Sequence, residues 1–137
     1  MTDPSELVER LRQSVDAHDL DVVVACFTDD YRNETPAHPE RGFEGRDQVR
    51  TNWQRIFAGV PNISARVLRM AVDGAVVWSE WEMGGTRPDG VPQMLRGVVI
   101  FGAAGSHFDW ARFYLEPVDA GEGGVDAAVG KIVEAEG

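Results

Sequence analysis

The first half of the chain carries apolar side chains at the spacing of α-helices. Asp3 is a candidate N-cap with Pro4 at the first helical position, and the apolar stripe predicts a helix that ends near residues 17–18. A second short helix is predicted over residues 19–27, and a third from about residue 46 to residue 58.

The helical spacing is interrupted between the second and third predicted helices. Asp29-Asp30 is predicted to form a turn, and residues 31–35 a short strand that stops at Pro36. Residues 36–45 contain Pro, His, Gly and charged side chains without periodicity, which is typical of a loop.

After residue 62 the apolar positions alternate with period two, the spacing of β-strands. Three turn motifs interrupt the alternation: Asp73-Gly74, Pro88-Asp89-Gly90 and Ala104-Gly105. They separate four predicted strands, over residues 62–72, 75–87, 92–103 and 106–116. Because turns this short join antiparallel neighbours, these strands are expected to form an antiparallel meander.

The tail differs in composition from the rest of the chain. It is acidic and rich in glycine, and apolar residues from Val125 onward recur at helical spacing, which predicts a short terminal helix. The chain is therefore expected to form one α+β domain over residues 1–118, followed by a tail over residues 119–137.

Composition and charge narrow the class of protein. The 137 residues include 23 acidic and 13 basic side chains, and the net charge of −10 disfavours binding to nucleic acid. Cys26 is the single cysteine, which excludes an internal disulfide, and its apolar neighbours indicate a buried side chain. Without a signal peptide or an apolar run of the ~20 residues that span a bilayer, we expect a cytoplasmic protein that does not enter the membrane.

The alternation along the strands sorts their side chains onto two faces of the sheet. One face is mostly apolar and is expected to pack against the helices. The other face carries charged residues expected to form cross-strand ion pairs, and also large apolar residues: Trp78, Val98, Ile100, Trp110 and Tyr114. A monomer rarely leaves such a patch in water, which predicts a homodimer through this outer face. The terminal helix is the competing cover for the same patch.

Three stretches carry a resemblance to a known superfamily: residues 19–30, Gly45-Arg46-Asp47 at the start of the third helix, and residues 112–117. In this order, over residues 5–118, the chain resembles the nuclear transport factor 2-like superfamily, in its SnoaL-like and ketosteroid-isomerase-like branches. The resemblance implies a cone-shaped α+β barrel, in which a bent antiparallel meander sheet wraps around three N-terminal helices and a blind apolar pocket. The superfamily includes isomerases, polyketide cyclases, dehydratases and epoxide hydrolases, beside members that only bind partners.

The catalytic positions of two enzyme groups in this superfamily are not matched. Where ketosteroid isomerases carry their oxyanion-hole tyrosine and aspartate and their aspartate base, this chain has Leu11, Gly97 and Thr35. At the positions of the limonene-epoxide-hydrolase-like catalytic set it has Trp81, Met83, Phe113, Asn33 and Thr35. Neither set of catalytic groups therefore carries over to this chain.

Candidate site residues follow from the alternation and from these positions. Asp109 is the candidate catalytic acid or base if it points inward, where desolvation raises a carboxyl pKa, whereas at the rim it would bond a turn amide. Asn33 and Thr35 are candidates for orienting a substrate oxygen, or they satisfy nearby backbone groups. His38 is expected at the mouth, as an acid or base or as an ordinary solvated histidine. The other pocket candidates are Tyr31, Trp53, Trp81, Met83, Gly97 and Phe113.

Two functions from different classes remain open, and analogy with the enzymes of this superfamily favours the first. The first is an enzyme that performs acid–base chemistry without a cofactor on an apolar or polycyclic substrate, by cyclisation, isomerisation, dehydration or epoxide opening. The second is a non-catalytic module of the same fold that binds an apolar ligand or a protein partner. No side chains have the spacing of a metal site, and no glycine-rich phosphate loop is present, so we expect neither a metal nor a cofactor.

Overall fold

The computed structural model describes residues 3–119, 121 and 123–134. The helices in this part of the chain are α1 (Pro4–Asp16), α2 (Leu20–Ala25), α3 (Arg46–Gly59) and α4 (Val125–Val133). The strands are β1 (Phe27–Glu34), β2 (Phe43–Glu44), β3 (Ser64–Asp73), β4 (Val76–Thr86), β5 (Pro92–Ala104) and β6 (His107–Pro117). None of the helices described is both long and apolar enough to cross a bilayer.

Aspartate side chains cap the starts of the first two helices, and the cap at Asp3 is as predicted. The Asp3 carboxylate accepts a hydrogen bond from the Ser5 amide at 2.8 Å, and Asp19 accepts one from the Val22 amide at 3.3 Å. The second helix ends two residues earlier than predicted, because Phe27 begins β1 and its side chain is buried in the core.

The six strands form one curled sheet in the order β2-β1-β6-β5-β4-β3. The meander from β3 to β6 is antiparallel, as predicted, and its strands lie within two residues of their expected ends. The sheet as a whole is mixed, since β1 pairs parallel with β6. It is also open rather than a closed barrel, because β2 and β3 are its two edges.

The region before α3 is more ordered than the sequence predicted. The expected turn at Asp29-Asp30 lies inside β1, because pairing with β6 extends this strand back to Phe27. The expected loop over residues 36–45 contains a short 3₁₀ helix, Pro39–Arg41, and also β2, which pairs antiparallel with β1. These pairings supply the backbone hydrogen bonds that a buried segment requires.

The core lies between α1 and the concave face of the sheet. The α1 face formed by Leu7, Val8, Leu11 and Val15 is at most 4 % exposed, and each such side chain stabilises the fold by about 1.5–3 kcal/mol. Cys26 is fully buried, which confirms its predicted environment, and desolvation raises the pKa of its thiol to about 11. This thiol is therefore protonated and unreactive at neutral pH.

A bulge in β6 changes which face its first residues occupy. Gly102 pairs with Trp110 and Ala103 with Phe108, so Asp109 is the extra residue between them. Phe108 therefore points into the core, where it is fully buried, and the prediction that Asp109 points inward is wrong. From Ala111 onward, the side chains of β6 alternate between the two faces as predicted. The bulge changes the face only of the residues that precede Ala111.

Gly97 marks a close approach between the backbones of β5 and β6. Its φ of 151° is one that residues with a side chain rarely adopt. A Cβ at this position would lie 2.0 Å from the Tyr114 carbonyl oxygen, a backbone atom that cannot rotate away. Gly97 therefore has a structural role in the paired strands, and it does not line the cavity described below.

We expect Gly97→Ala to lower the free energy of unfolding by about 1–3 kcal/mol, because the added methyl group forces β5 and β6 apart. Chemical denaturation followed by circular dichroism measures the change. Gly59→Ala is the matched control, since no atom lies within 4 Å of the Cβ it would add. Equal stability of the two variants would contradict the close approach.

The outer face of the sheet carries exposed aromatic residues beside charges that are already paired. Trp78 is 52 % and Tyr114 43 % exposed. The charged pairs on this face are Glu82–Arg96 at 2.8 Å, Glu80–Arg69 at 3.2 Å and Glu34–Arg112 at 3.5 Å. Their mutual neutralisation lowers the repulsion between two copies of an acidic chain that meet through this face.

The terminal helix does not shield these aromatic residues. No residue of α4 is buried, and its apolar side chains Val125 and Ile132 are 75 % and 81 % exposed. We propose a homodimer through the outer face, with a second copy of the chain covering these aromatic residues.

We expect light scattering at micromolar concentration to give twice the monomer mass of 15.1 kDa. Trp78→Arg should convert the dimer to monomer, because it places unpaired charge within the apolar patch. Ile132→Arg, which adds the same charge on α4, should leave the dimer intact. A monomer mass for the unmodified chain would reject the proposal.

Candidate functional site

An apolar cavity of about 770 Å³ lies between α3 and the concave face of the sheet. Its volume falls within the ~300–1,000 Å³ that is usual for small-molecule sites. The apolar walls include Phe27, Trp53, Ile56, Met83, Phe113 and Leu115. They come from β1, α3 and the ends of β4 and β6, so the cavity draws on both halves of the chain.

The helices leave this space because they contact different parts of the curled sheet. α1 packs against β3 and β4, whereas α3 packs against β1 and α2. The apolar stripe of α3, which includes Val49 and Trp53, faces the sheet across the gap. The sequence predicted this stripe, and the structure shows that part of it lines a cavity.

A hydrogen-bonded pair from β1 provides polar groups in the cavity wall. Tyr31 and Asn33 lie two positions apart, so both point inward, and they are 1 % and 9 % exposed. The Tyr31 hydroxyl donates to Asn33 Oδ1 at 2.8 Å. Since this bond uses the amide oxygen, the Asn33 NH₂ group remains as a donor toward the cavity.

Thr35 follows at the end of the same strand and is 9 % exposed. Within the described part of the chain, neither the Asn33 NH₂ group nor the Thr35 hydroxyl is hydrogen bonded to another residue. Both groups line the cavity, where a ligand oxygen can satisfy them. Polar groups that open into an apolar cavity favour a ligand that carries a hydrogen-bonding oxygen at the matching position.

Burial also determines the protonation state of Tyr31. Desolvation raises the pKa of its phenol far above the ordinary value of 10.0. Tyr31 is therefore neutral at physiological pH and acts as a hydrogen-bond donor to Asn33, which excludes it as a general base.

Of the residues predicted to form the pocket, six line the cavity: Tyr31, Asn33, Thr35, Trp53, Met83 and Phe113. Trp81 does not, although it lies on the predicted face. It is 2 % exposed, and its indole nitrogen donates to Ser79 Oγ at 2.8 Å within the core. Large apolar residues at these positions therefore divide between the filled core and the open cavity.

Asp109 and His38 both lie outside the cavity lining. Asp109 lines a separate pocket on the outer side of β1 and β6, together with Glu34 and Arg112. His38 Nε2 lies 2.9 Å from Glu116 Oε1, and both side chains are about two-fifths exposed. The described lining of the cavity contains no histidine, aspartate or glutamate.

Sequence reasoning missed the polar lining that comes from outside the first strand. These residues are Arg41, Asn52, Arg55, Arg87 and Gln93. Asn52 and Arg55 flank the predicted α3 stripe, which was a usable signal. Arg41 lies in the short 3₁₀ helix, Arg87 in the turn after β4 and Gln93 at the start of β5, where no periodicity predicts orientation. Among the described residues, no three His, Cys, Asp or Glu side chains are grouped to hold a metal ion.

A comparison of the sequence with known families identifies the domain. Residues 8–108 match the model of the SnoaL-like domain. The chain belongs to this family. Among curated proteins, none is similar enough in sequence to match.

Solved structures with low sequence identity share the fold of this SnoaL-like domain. IdmH of Streptomyces antibioticus, a candidate polyketide cyclase, has a TM-score of 0.73 at 17% identity, covering 84% of this chain and 93% of its own. An LEH-like epoxide hydrolase of Mycobacterium tuberculosis has a TM-score of 0.71 at 19% identity, covering 82% of each chain. RV0760c of Mycobacterium tuberculosis, solved in complex with estradiol-17β-hemisuccinate, has a TM-score of 0.71 at 16% identity, covering 82% and 94%.

The ionisation of Tyr31 gives a test of the cavity wall. In a Tyr114→Phe variant Tyr31 is the sole tyrosine, so the near-ultraviolet absorbance of phenolate reports on it alone. The pKa of Tyr31 in the folded protein is raised above its unfolded value of 10.0. Its contribution to stability is therefore fully present below that pH and is lost as the pH rises further. We expect phenolate to form together with the loss of the folded circular dichroism signal. Reversible ionisation of Tyr31 near its ordinary pKa in the folded protein would contradict the buried donor.

Proposed function

We propose that this SnoaL-like domain binds an apolar small molecule in its cavity and holds an oxygen atom of that molecule with Asn33 and Thr35. One observation carries the proposal: apolar walls enclose two polar groups that have no protein partner in the described chain. A site built this way selects its ligand by an apolar body and by the position of one oxygen.

The apolar walls and the polar groups of the cavity contribute to ligand binding in different ways. Contact with the walls supplies affinity at roughly 25 cal/mol for each Å² of apolar surface removed from water. The Asn33 amide is held in place by Tyr31, so little orientational freedom is lost when it binds an oxygen. The ligand we propose therefore has an apolar body and a carbonyl or hydroxyl oxygen.

The described lining favours binding over proton transfer as the primary function. Its titratable residues are Tyr31, which burial keeps neutral, and arginines, which stay charged. General acid–base catalysis at neutral pH needs a side chain with a suitable pKa close to the ligand. Asp109 and His38 lie outside the lining and take no part in the proposed site.

Catalysis is the second candidate function, and the Tyr31–Asn33 pair favours it. An amide donor fixed in an apolar cavity would stabilise negative charge that develops on a bound carbonyl oxygen. The fold relatives include an epoxide hydrolase and a candidate polyketide cyclase, which supports a small-molecule reaction in a cavity of this kind. The complex of RV0760c with a steroid ester supports a polycyclic ligand.

The test compares acetylnaphthalene with ethylnaphthalene, which have similar size and differ by one carbonyl oxygen. Both should displace the neutral fluorescent dye phenylnaphthylamine from the cavity. We expect the ketone to bind about three- to tenfold more tightly, the value of one hydrogen bond. Asn33→Leu should abolish most of this preference, and Thr35→Val should reduce it.

Asn52→Leu is the matched control, because Asn52 also lines the cavity but lies on α3. It should leave the preference for the ketone unchanged. Failure of phenylnaphthylamine to bind would reject the binding site itself. Equal affinity for the two naphthalenes in the unmodified protein would reject the role of Asn33 and Thr35.

A further inference from the structure

We infer that the ligand is an organic anion, with its apolar body inside the cavity and its acidic group at the mouth, bound by Arg55 together with Arg41 and Arg87. The inference rests on the proposed function and specifies its ligand class. It comes from the distribution of charge around the cavity.

The mouth of the cavity is marked by its exposed lining residues: Arg41, Arg55, Gly59, Arg87 and Pro88. Three of these five residues are arginines, and they come from three separate segments of the chain. Arg41 lies in the 3₁₀ helix, Arg55 near the end of α3 and Arg87 after β4. The fold therefore brings together positive charges that are far apart in the sequence.

Negative charge is absent from the same described lining. The chain has 23 acidic residues and 13 basic ones, yet none of the lining residues is an aspartate or glutamate. The neutral polar residues around the cavity add hydrogen-bond donors. Asn52 uses its side-chain oxygen to accept from Gln48 at 2.8 Å, so its NH₂ group remains as a donor.

The three arginines differ in how far the protein itself neutralises them. Arg87 lies 2.5 Å from Asp89, and Arg41 lies 3.9 Å from Glu116, an acid that His38 also contacts. Arg55 forms no ion pair with any residue in the described parts of the chain. Arg55 is therefore the principal candidate for binding an anion, and the other two supply supporting charge.

The two ends of the site differ in chemistry, and together they specify the class of ligand. Deep in the cavity, Asn33 and Thr35 are nearly buried and fit an uncharged oxygen. At the mouth, guanidinium groups fit a carboxylate or sulfonate, which they can bind through paired hydrogen bonds while it stays in contact with water. A charge placed at the mouth avoids the desolvation that burial inside the apolar walls would cost.

The experiment compares two dyes that share one ring system. Anilinonaphthalene sulfonate is an anion, and phenylnaphthylamine is the same molecule without the sulfonate group. We expect the unmodified protein to bind the anionic dye about five- to tenfold more tightly, and the preference to fall at high salt. Arg55→Gln should lower the preference about threefold, and Arg41→Gln or Arg87→Gln about twofold each, because exposed ion pairs are individually weak.

Arg50→Gln is the matched control, since Arg50 lies on the same helix and pairs with Asp21 away from the cavity. It should leave both affinities unchanged, and acetylnaphthalene should displace the anionic dye if that dye occupies the cavity.

Tight binding of the neutral dye with no preference for the anion would overturn this inference and leave the proposed function standing. Loss of binding for both dyes would overturn both. An anion preference that Arg50→Gln reduces as much as Arg55→Gln would assign the effect to overall charge, against the site.

Discussion

The pairing of β6 with two neighbours, β5 on one side and β1 on the other, sets which side chains face the cavity. The bulge at Asp109 lets Phe108 and Ala111 both point inward, although three positions separate them. Without it, the alternation would bury the Asp109 carboxylate and expose the Phe108 ring. Exposing a phenylalanine costs about 1.5–3 kcal/mol, and burying an unpaired carboxylate costs more. The bulge therefore keeps the concave face apolar.

An apolar concave face is filled unevenly, and the unfilled part is the site. α1 fills the face beside β3 and β4, while α3 covers β1 and leaves a gap toward the ends of β4 and β6. Within that gap, hydrogen-bond donors lie in an order of increasing exposure: the Asn33 amide in the depth and the arginines at the mouth. In the proposed function, this order distinguishes the two ends of an elongated ligand.

Membership of the SnoaL-like family establishes the fold of this chain. The chemistry of its cavity depends on which residues this chain carries there. The described lining has donors and permanent positive charge but no group that exchanges a proton near neutral pH. Binding and orientation are therefore within its capacity, and stabilisation of an oxyanion is the reaction chemistry it can add.

The sequence by itself determined the three N-terminal helices, the meander from β3 to β6 and the inward positions of Tyr31, Asn33 and Thr35. These features follow from periodicity, caps and turn residues, which act between neighbours in the chain. It could not give the position of Asp109, the parallel pairing of β1 with β6, or the convergence of Arg41, Arg55 and Arg87. A bulge depends on pairing with the partner strand. A cavity forms where elements that are distant in the sequence do not pack against each other. Only the tertiary structure decides such features, because the interactions that fix them join residues far apart in the sequence.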